Sequence, residues 1–520
     1  MIASPATRRY RLLALSLPEL WAFLAVALPV VGALIAPMST VDLAYQVRAG
    51  QLMIEQGAVL RTDPFTFTAG AQPWLDQQWA AQVVLGGLYE IGGWALLAIV
   101  RALLVGGIFW LVYRLCRDAG VGQRPAGGLA LAAFTIGAAS LALRPQLFGM
   151  ALFALTAWLV TSRQHHPRRL WLVPLVVAGW ANLHGSFFLG PALLGLAWLE
   201  DRRGRRPGAD RTLLVALIAA TAAALNPWGF GVWQYAVGLS ADPTIRRLIT
   251  EWQVTSPFSF AGAAFCLSVA GALGAVIVAW RRRPALISWP ALLWLAVLAA
   301  IGAYAERGVA WWAIGAPPVL AAILVGGAQA GRDARQPVPP VARPERRSIV
   351  NGLIALAIAA AGVLAWPSWR AVVPADGPLP LLADAPTGIT QAVRARATPA
   401  DRVFVPQRLG SWFEFALPGV PVFVDSRIEL FATEVWDDYL AVSAGEPGWQ
   451  TILDRWGVTV VVVAPADQPG LAGRIRADPG WHSVYEGEDG LVFERRRDLS
   501  ALRRRAGSVG AEPGRLRVGA

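Results

Sequence analysis

An aspartate stands a few residues beyond the first long apolar run of this chain. Asp42 opens the stretch VDLAYQVRAGQLMIEQG, and the polar loop it begins continues through TDPFTF and QPWLDQQW to Trp79. A carboxylate at such a place is poorly solvated on one side and could accept a proton from a hydroxyl nucleophile. The same residue suits a helix N-cap, because DLAYQVRAGQLMIEQG reads as a helix that stops at Gly57. The two roles are compatible. Asp63 precedes Pro64 in an ordinary turn signal. Asp76 lies between Trp74 and Trp79, whose indole rings either stack on sugar rings or belong to an interfacial aromatic belt. Three carboxylates in one loop, Asp63 among them, could hold a divalent cation through oxygen ligands, although they meet no spacing rule for such a site.

Later turns add polar groups at membrane depth. Asn182 and His184 occur in GWANLHGSFFLG, surrounded by apolar residues. Polar side chains within apolar spans are costly and face the protein interior. His184 reads as a proton carrier, a substrate ligand or a buried hydrogen-bonded residue. Arg144 in LRPQLF and Arg307 in YAERGVAWW suit a phosphate oxygen through paired N–H donors, or the lipid headgroups through snorkelling. Glu251, beside Trp252 in TEWQ, is a further acidic candidate.

The elements that carry these residues follow from composition. The chain has 520 residues, 55% hydrophobic and only 15% charged. Globular domains average about 25% charged residues, so the deficit and the long apolar runs indicate a membrane protein. Net charge is +12, and every basic residue is arginine. The arginines cluster between apolar runs, which points to cytoplasmic loops and away from nucleic-acid binding. The two cysteines, Cys116 and Cys266, meet no metal or disulfide spacing.

A bilayer span needs about 20 mostly apolar residues. About eleven candidates appear: Leu17–Met38, Trp94–Leu115, Gly127–Leu143, Gln146–Thr161, Leu170–Leu183, Phe187–Leu199, Thr212–Leu225, Ala261–Trp280, Ile287–Tyr304, Val309–Gly326 and Ile349–Trp366. The amphipathic stretch Gln78–Ile91 suits the membrane interface. The first span, preceded by Arg8, Arg9 and Arg11, reads as an uncleaved helix. Arginine clusters follow alternate spans, which makes that side cytoplasmic. The N-terminus is then inside, and the loops holding Asp42, Arg144, His184, Glu251 and Arg307 are extracytoplasmic, as is everything after Trp366.

The expected organisation is a mainly α, polytopic helix bundle over residues 1–366, with its first outer loop at 40–93 and a Pro- and Arg-rich cytoplasmic linker at 327–348. A small extracytoplasmic α/β domain follows at 367–497. Its strands are expected at Val403–Val405, Pro421–Val424, Thr459–Val463 and Leu491–Phe493, with helices at Glu429–Val442 and Gly448–Trp456. Residues 498–520 read as a disordered tail. In PVFVDSRIELF, Asp425 and Arg427 follow a β-run, where they suit a ligand or a helix-capping ion pair. No nucleophile-elbow, phosphate-loop, zinc-protease or dinucleotide motif is present.

In order along the chain, VDLAYQVRAGQLMIEQG, TDPFTFT, PWLDQQW, WANLHGSF, NPWGF, EWQ and PVFVDSR together resemble a set of bacterial multi-spanning proteins. That set is grouped with the GT-C glycosyltransferase superfamily, alongside the dolichyl-phosphate-mannose–protein mannosyltransferases and the lipid A aminoarabinose transferase. The likeness to the set covers most of the chain; that to the two named enzymes rests on topology and Asp42. The resemblance implies a polyprenyl-phosphate-linked sugar as donor and a glycan, lipid or protein acceptor, in the bacterial cytoplasmic membrane with the active side outside. It places the general base on Asp42 and the lipid phosphate on Arg307, with Arg144 second; His184, Asn182, Trp74, Trp79 and Glu251 are the further substrate-binding candidates. One stretch departs from the pattern. Where the set carries a histidine followed by a glutamate, this chain has Gln77 and Gln78, which cannot act as bases. Either Asp76 takes that catalytic place or the activity is lost. A non-catalytic partner in glycan assembly and a lipid-linked glycan transporter are therefore the competing expectations; the transporter lacks the internal repeat that such folds carry.

Overall fold

The computed structural model describes residues 14–69, 72–241, 243–282, 287–332 and 346–496. The expectations for Arg8, Arg9 and Arg11, for most of the linker and for the tail lie outside them. The described residues form two compact units. The first draws on Met1–Asp63, Ala71–Ala385 and Arg427–Leu430, the second on Pro64–Gly70, Pro386–Ser426 and Phe431–Ala520.

The first unit is helical, and an α-helix lies at each of the eleven expected apolar stretches. Helix α1, Leu17–Ile35, begins in a capping box: Glu19 N–H donates to Ser16 Oγ at 3.3 Å, and Ser16 N–H donates to Glu19 Oε2 at 2.8 Å. Two reciprocal bonds thus satisfy donors that a helix start leaves open. At the other end the open groups are carbonyls. Arg101 donates to the carbonyls of Ala33, Ala36 and Pro37, and Arg370 to those of Leu34 and Ile35. Cations at a helix C-terminus are favoured by the macrodipole as well as by these bonds. Arg101→Leu is expected to cost about 2 kcal/mol, the scale of a hydrogen bond to a charged group, as a lowered unfolding midpoint in detergent.

Helix α2, Thr40–Gln56, carries Asp42 and ends at Gly57, whose φ of 63° is left-handed. Its N-cap is Ser39, not Asp42: Ser39 Oγ accepts from Val41 N–H at 3.4 Å. Asp42 sits in the first turn, where the helix dipole still favours an anion but the carboxylate is free for another partner. Helix α3, Trp79–Asp118, is 40 residues long and broken at Gly92 and Gly93. The break separates the amphipathic stretch from the apolar span, and Gly93 supplies the positive φ of 58° that the bend needs. Helices α2 and α3 cross in direct backbone contact. A Cβ on Gly50 would stand 1.9 Å from the Gln82 carbonyl oxygen, so only glycine fits. This contact sets the height of Asp42 against α3.

Helix α4 is Gln123–Gly137, and α5 is Pro145–Thr161, entered directly from Arg144 with proline in its first turn. Helices α6, Val173–Leu183, and α7, Leu189–Arg203, are joined by an extended His184 and the 3-10 turn Gly185–Phe188. Helix α8 is Ala209–Ala222, α9 Gly231–Ala241 and α10 Pro243–Leu248. Helices α11, Phe260–Arg282, α12, Trp289–Tyr304, and α13, Val309–Arg332, follow, the last two joined by the turn Glu306–Gly308. Helix α14 is Ile349–Leu364. Among the described residues, five helical stretches are long and apolar enough to cross a membrane by length and composition: Leu17–Ile35, Trp79–Asp118, Pro145–Gln164, Phe260–Arg282 and Glu306–Val325. The chain is a multi-pass membrane protein.

The second unit holds a four-stranded mixed sheet. Its strands are β1 (Val403–Phe404), β2 (Val460–Val463), β3 (Trp481–Gly487) and β4 (Gly490–Arg495), in the order β1-β2-β4-β3. Strands β1 and β2 are parallel, and the other pairings are antiparallel. The continuous run VVVV of β2 is buried throughout, as expected of a central strand covered on both faces. Strand β3 does not appear in the sequence reading. Pro421–Val424 forms bridges at Val422 rather than a strand, to Val403 and to Thr66. Thr66 lies in Pro64–Gly70, the part of the loop after α2 that belongs to the second unit, with Phe67 packed edge-on against Phe423 at 5.5 Å between ring centroids.

Candidate active site

Four charged residues from separate parts of the first unit meet in one ion-pair chain. Arg144 Nη1 lies 3.3 Å from Asp42 Oδ2, and Arg144 Nη2 lies 2.8 Å from Glu251 Oε1. The other oxygen of Glu251 is 3.4 Å from Arg307 Nε. Each residue owes its place to a local feature: Asp42 to the first turn of α2, Arg144 to the residue before the helix-starting Pro145, Glu251 to the 3-10 turn Thr250–Trp252, and Arg307 to the tight turn Glu306–Gly308. That last turn requires glycine at Gly308, where a Cβ would be 2.1 Å from the Ile301 carbonyl oxygen.

Gln146 completes the hold on Arg307. It accepts from Arg307 Nε at 3.1 Å and donates to the Arg307 carbonyl at 3.4 Å. The Arg307 guanidinium also lies over the Trp252 ring, 5.4 Å from its centroid, a cation–π placement. Sequence reasoning missed Gln146. Its signal was available, because a glutamine at the start of an apolar span is costly unless it has a partner inside the protein. Burial pushes the Glu251 carboxyl upward, but the Arg144 and Arg307 guanidiniums outweigh it and hold Glu251 below its ordinary range.

His184 adjoins this cluster. Its Nδ1 accepts the Ser186 backbone N–H at 3.2 Å and lies 2.7 Å from Ser186 Oγ, which in turn accepts from Trp180 Nε1 at 3.2 Å. An Nδ1 that accepts an N–H leaves the ring proton on Nε2. Burial, together with the charges of Arg307 and Arg144, pushes His184 down to about 3. It is therefore neutral at physiological pH. The ring is half-buried, and its bonds to Ser186 fit the hydrogen-bonded reading of this residue.

The remaining candidates do not join the cluster. Trp79 Nε1 donates to Asn182 Oδ1 at 2.9 Å, and Asn182 donates to the carbonyls of Ala178 and Leu225. Gln77 donates to the Ala181 carbonyl at 2.6 Å, and Gln78 accepts from Gln46 at 3.1 Å, so both glutamines of LDQQW make structural bonds. Asp63 pairs with Arg427 at 2.8 Å, and the Arg427 guanidinium lies over Trp74 and Tyr45, at 4.7 and 5.3 Å from the ring centroids. The suggested cation site is not formed. Asp42, Asp63 and Asp76 face Arg144, Arg427 and Gln82 respectively, and the described residues contain no group of three or more His, Cys, Asp or Glu placed to hold a metal ion.

Asp76 is buried, with Oδ1 accepting from Gln82 Nε2 at 2.9 Å. Burial raises it from the ordinary 3.8 to about 8, against the weaker opposing pull of Arg427. The folded protein thus holds this proton where the unfolded chain has released it. Its contribution to stability is full below the unfolded value and is lost as pH rises through the folded one. Unfolding midpoints are expected to fall between about pH 4 and pH 8, and Asp76→Asn is expected to flatten that slope; an unchanged slope would count against a protonated Asp76.

No protein-family model and no curated protein matches this chain. Solved structures do. The oligosaccharyltransferase of Archaeoglobus fulgidus, tethered to an acceptor peptide containing the NVT sequon, matches with a TM-score of 0.53 and 15% identity, over 92% of this chain and 74% of that one. Its apo form matches with a TM-score of 0.52 and 14% identity. ArnT from Cupriavidus metallidurans in the apo state matches with a TM-score of 0.50 and 17% identity, over 94% of this chain and 98% of that one. The likeness shows a shared fold, one found in proteins of the GT-C superfamily. Both neighbours are members of that superfamily, an archaeal oligosaccharyltransferase and an aminoarabinose transferase, and the likeness defines the architecture of this chain.

Proposed function

We propose that this protein is a membrane glycosyltransferase of GT-C type that moves a sugar from a polyprenyl-phosphate donor to an acceptor hydroxyl outside the bacterial cytoplasmic membrane. The observation that carries the reading is the convergence of Asp42, Arg144, Glu251 and Arg307, four residues from distant parts of the chain, in one ion-pair chain. Fold likeness to two glycosyltransferases supports it. Sidedness is supported by the helices themselves. Helix α5 starts directly after Arg144 and leads to Arg163, α7 starts five residues after His184 and ends at Arg202 and Arg203, and α11 starts nine residues after Glu251 and ends at Arg281 and Arg282. By the positive-inside rule this supports an outside position for the cluster.

In this reading Asp42 takes the proton from the acceptor hydroxyl as that oxygen attacks the anomeric carbon. The bond from the anomeric carbon to the phosphate oxygen breaks, and the leaving polyprenyl phosphate keeps the electron pair. Arg307, with Arg144, stabilises the charge that develops on it. Asp42 is the base rather than Asp76, because its side chain is 32% exposed and reachable, whereas Asp76 is buried and retains its proton at neutral pH. Asn182, Trp79, Gln77 and Gln78 are engaged in hydrogen bonds to one another, to backbone carbonyls or to Gln46, and this reading gives them no part in the transfer.

The test is capture of a polyprenyl phosphate by the purified protein, read by native mass spectrometry. Wild type and Asp42→Asn are expected to retain the lipid, and Arg307→Ala to lose it. Absence of selectivity for the phosphate over the matching polyprenol, in every form, would overturn the reading in favour of a non-catalytic partner.

A further inference from the structure

The cluster carries two guanidiniums and two carboxylates, so its formal charges cancel. A neutral cluster offers little net attraction to a phosphate, and Glu429, which also lies within electrostatic reach of Arg307, adds a further negative charge. The function proposed above therefore needs a carboxylate to leave when the donor arrives.

We propose that Glu251 is an internal placeholder for the donor phosphate, bridging Arg144 and Arg307 and swinging out to solvent when a phosphate-bearing lipid binds. This rests on the reading of the cluster as a donor site.

Three observations select Glu251. First, it bridges: one oxygen is 2.8 Å from Arg144 and the other is 3.4 Å from Arg307. Carboxylate and phosphate present paired oxygens to guanidinium N–H groups in the same manner, so either can fill this place. Asp42 touches only Arg144 of the two and does not occupy it. Second, the bridge is unevenly made. At 3.4 Å the contact with Arg307 is not a hydrogen bond: Glu251 Oε2 is buried without a hydrogen-bond partner, as is Arg144 Nε. A carboxylate in its final place would satisfy both. Third, it has a way out. The Glu251 side chain is 36% exposed while Arg144 is 11% exposed, so the acid can turn to water without moving the arginines. The backbone beyond it is pinned, by the Gln253 carbonyl to Glu306 N–H at 3.1 Å and by Thr255 N–H to the Ala303 carbonyl at 3.3 Å. The motion is therefore a side-chain rotation about a fixed turn, and the arginines stay aligned for the incoming phosphate. The same bridge keeps two like-charged guanidiniums together.

The experiment titrates the full-length protein with a polyprenyl monophosphate, and with the matching polyprenol as a probe of chain binding alone. It compares wild type, Glu251→Gln, Glu251→Ala as a second variant should the first misfold, and Glu306→Gln as a neighbouring charge that touches neither arginine through its side chain. Glu251→Gln or Glu251→Ala is expected to bind the phosphate lipid about tenfold tighter than wild type, with polyprenol binding unchanged and Glu306→Gln equal to wild type. Unchanged or weaker binding in both Glu251 variants would make the residue a fixed strut or a substrate ligand and overturn the placeholder, while leaving the donor site intact. An equal gain in Glu306→Gln would reduce the effect to general charge and overturn it as well. Failure of every form to prefer the phosphate lipid would remove the donor site itself, and the placeholder with it.

Discussion

Asp42→Asn is expected to lower sugar transfer by about 10²- to 10⁴-fold, the range that a positioned general base contributes. Asparagine keeps the shape and an oxygen that can still accept from Arg144, 3.3 Å away in the native pair. It cannot accept the hydroxyl proton. Stability is expected to change little, because Ser39 caps α2 and the Asp42 side chain is 32% exposed. Loss of an ion pair at such exposure costs about 0–1 kcal/mol. A transfer assay with a lipid-linked sugar, run beside a melting curve, reads both quantities. Transfer at the wild-type rate in a folded Asp42→Asn protein would take the base role from Asp42.

The largest expected effect on stability belongs to another pair. Arg427 and Asp63 are joined at 2.8 Å with both side chains almost wholly out of solvent, at 1% and 0% exposure. The guanidinium is also flanked by Trp74 and Tyr45. Removing one member takes this contact from a charge that stays buried, which costs about 3–5 kcal/mol. Asp63→Asn and Arg427→Met are each expected to lower the unfolding free energy on that scale, and lost contact with Trp74 adds to the second. The double variant is expected to lose much less than the sum, because both changes remove the same contact. Denaturant unfolding in detergent measures all three. Strict additivity would mean that the two side chains do not support each other.

Much of the architecture was legible because its causes are local. A run of about 20 apolar residues has few options besides a helix, since a bilayer or a core leaves backbone N–H and C=O groups only each other. Helices accordingly stand at all eleven expected stretches. Helix ends were legible where the terminating residue acts alone, as Gly57 does. Strand β3 escaped notice because WHSVYEG is only half buried, and its ladder partner in β4, not its own pattern, makes it a strand. Pro421–Val424 misled for the opposite reason. The pattern is β-like, but only Val422 finds bridging partners.

For the candidate site, the sequence by itself determined which residues had to be accounted for. A carboxylate after the first span, arginines in outer turns and a histidine within an apolar stretch are costly where they stand, so each needs a partner. It also set an expectation for their sidedness, because arginine clusters mark the opposite ends of the same helices. Only the tertiary structure decided the partners. Asp42 and Arg144 are 102 positions apart, and Arg144 and Glu251 lie on separate turns with no pattern linking them. An ion pair depends on distances of a few ångströms, and those are fixed by packing, as where Gly50 lets α2 rest on α3. The same packing gave Asp63 and Asp76, which looked equal to Asp42 in sequence, to Arg427 and to a buried site beside Gln82. Asp42 was left reachable, its side chain 32% exposed.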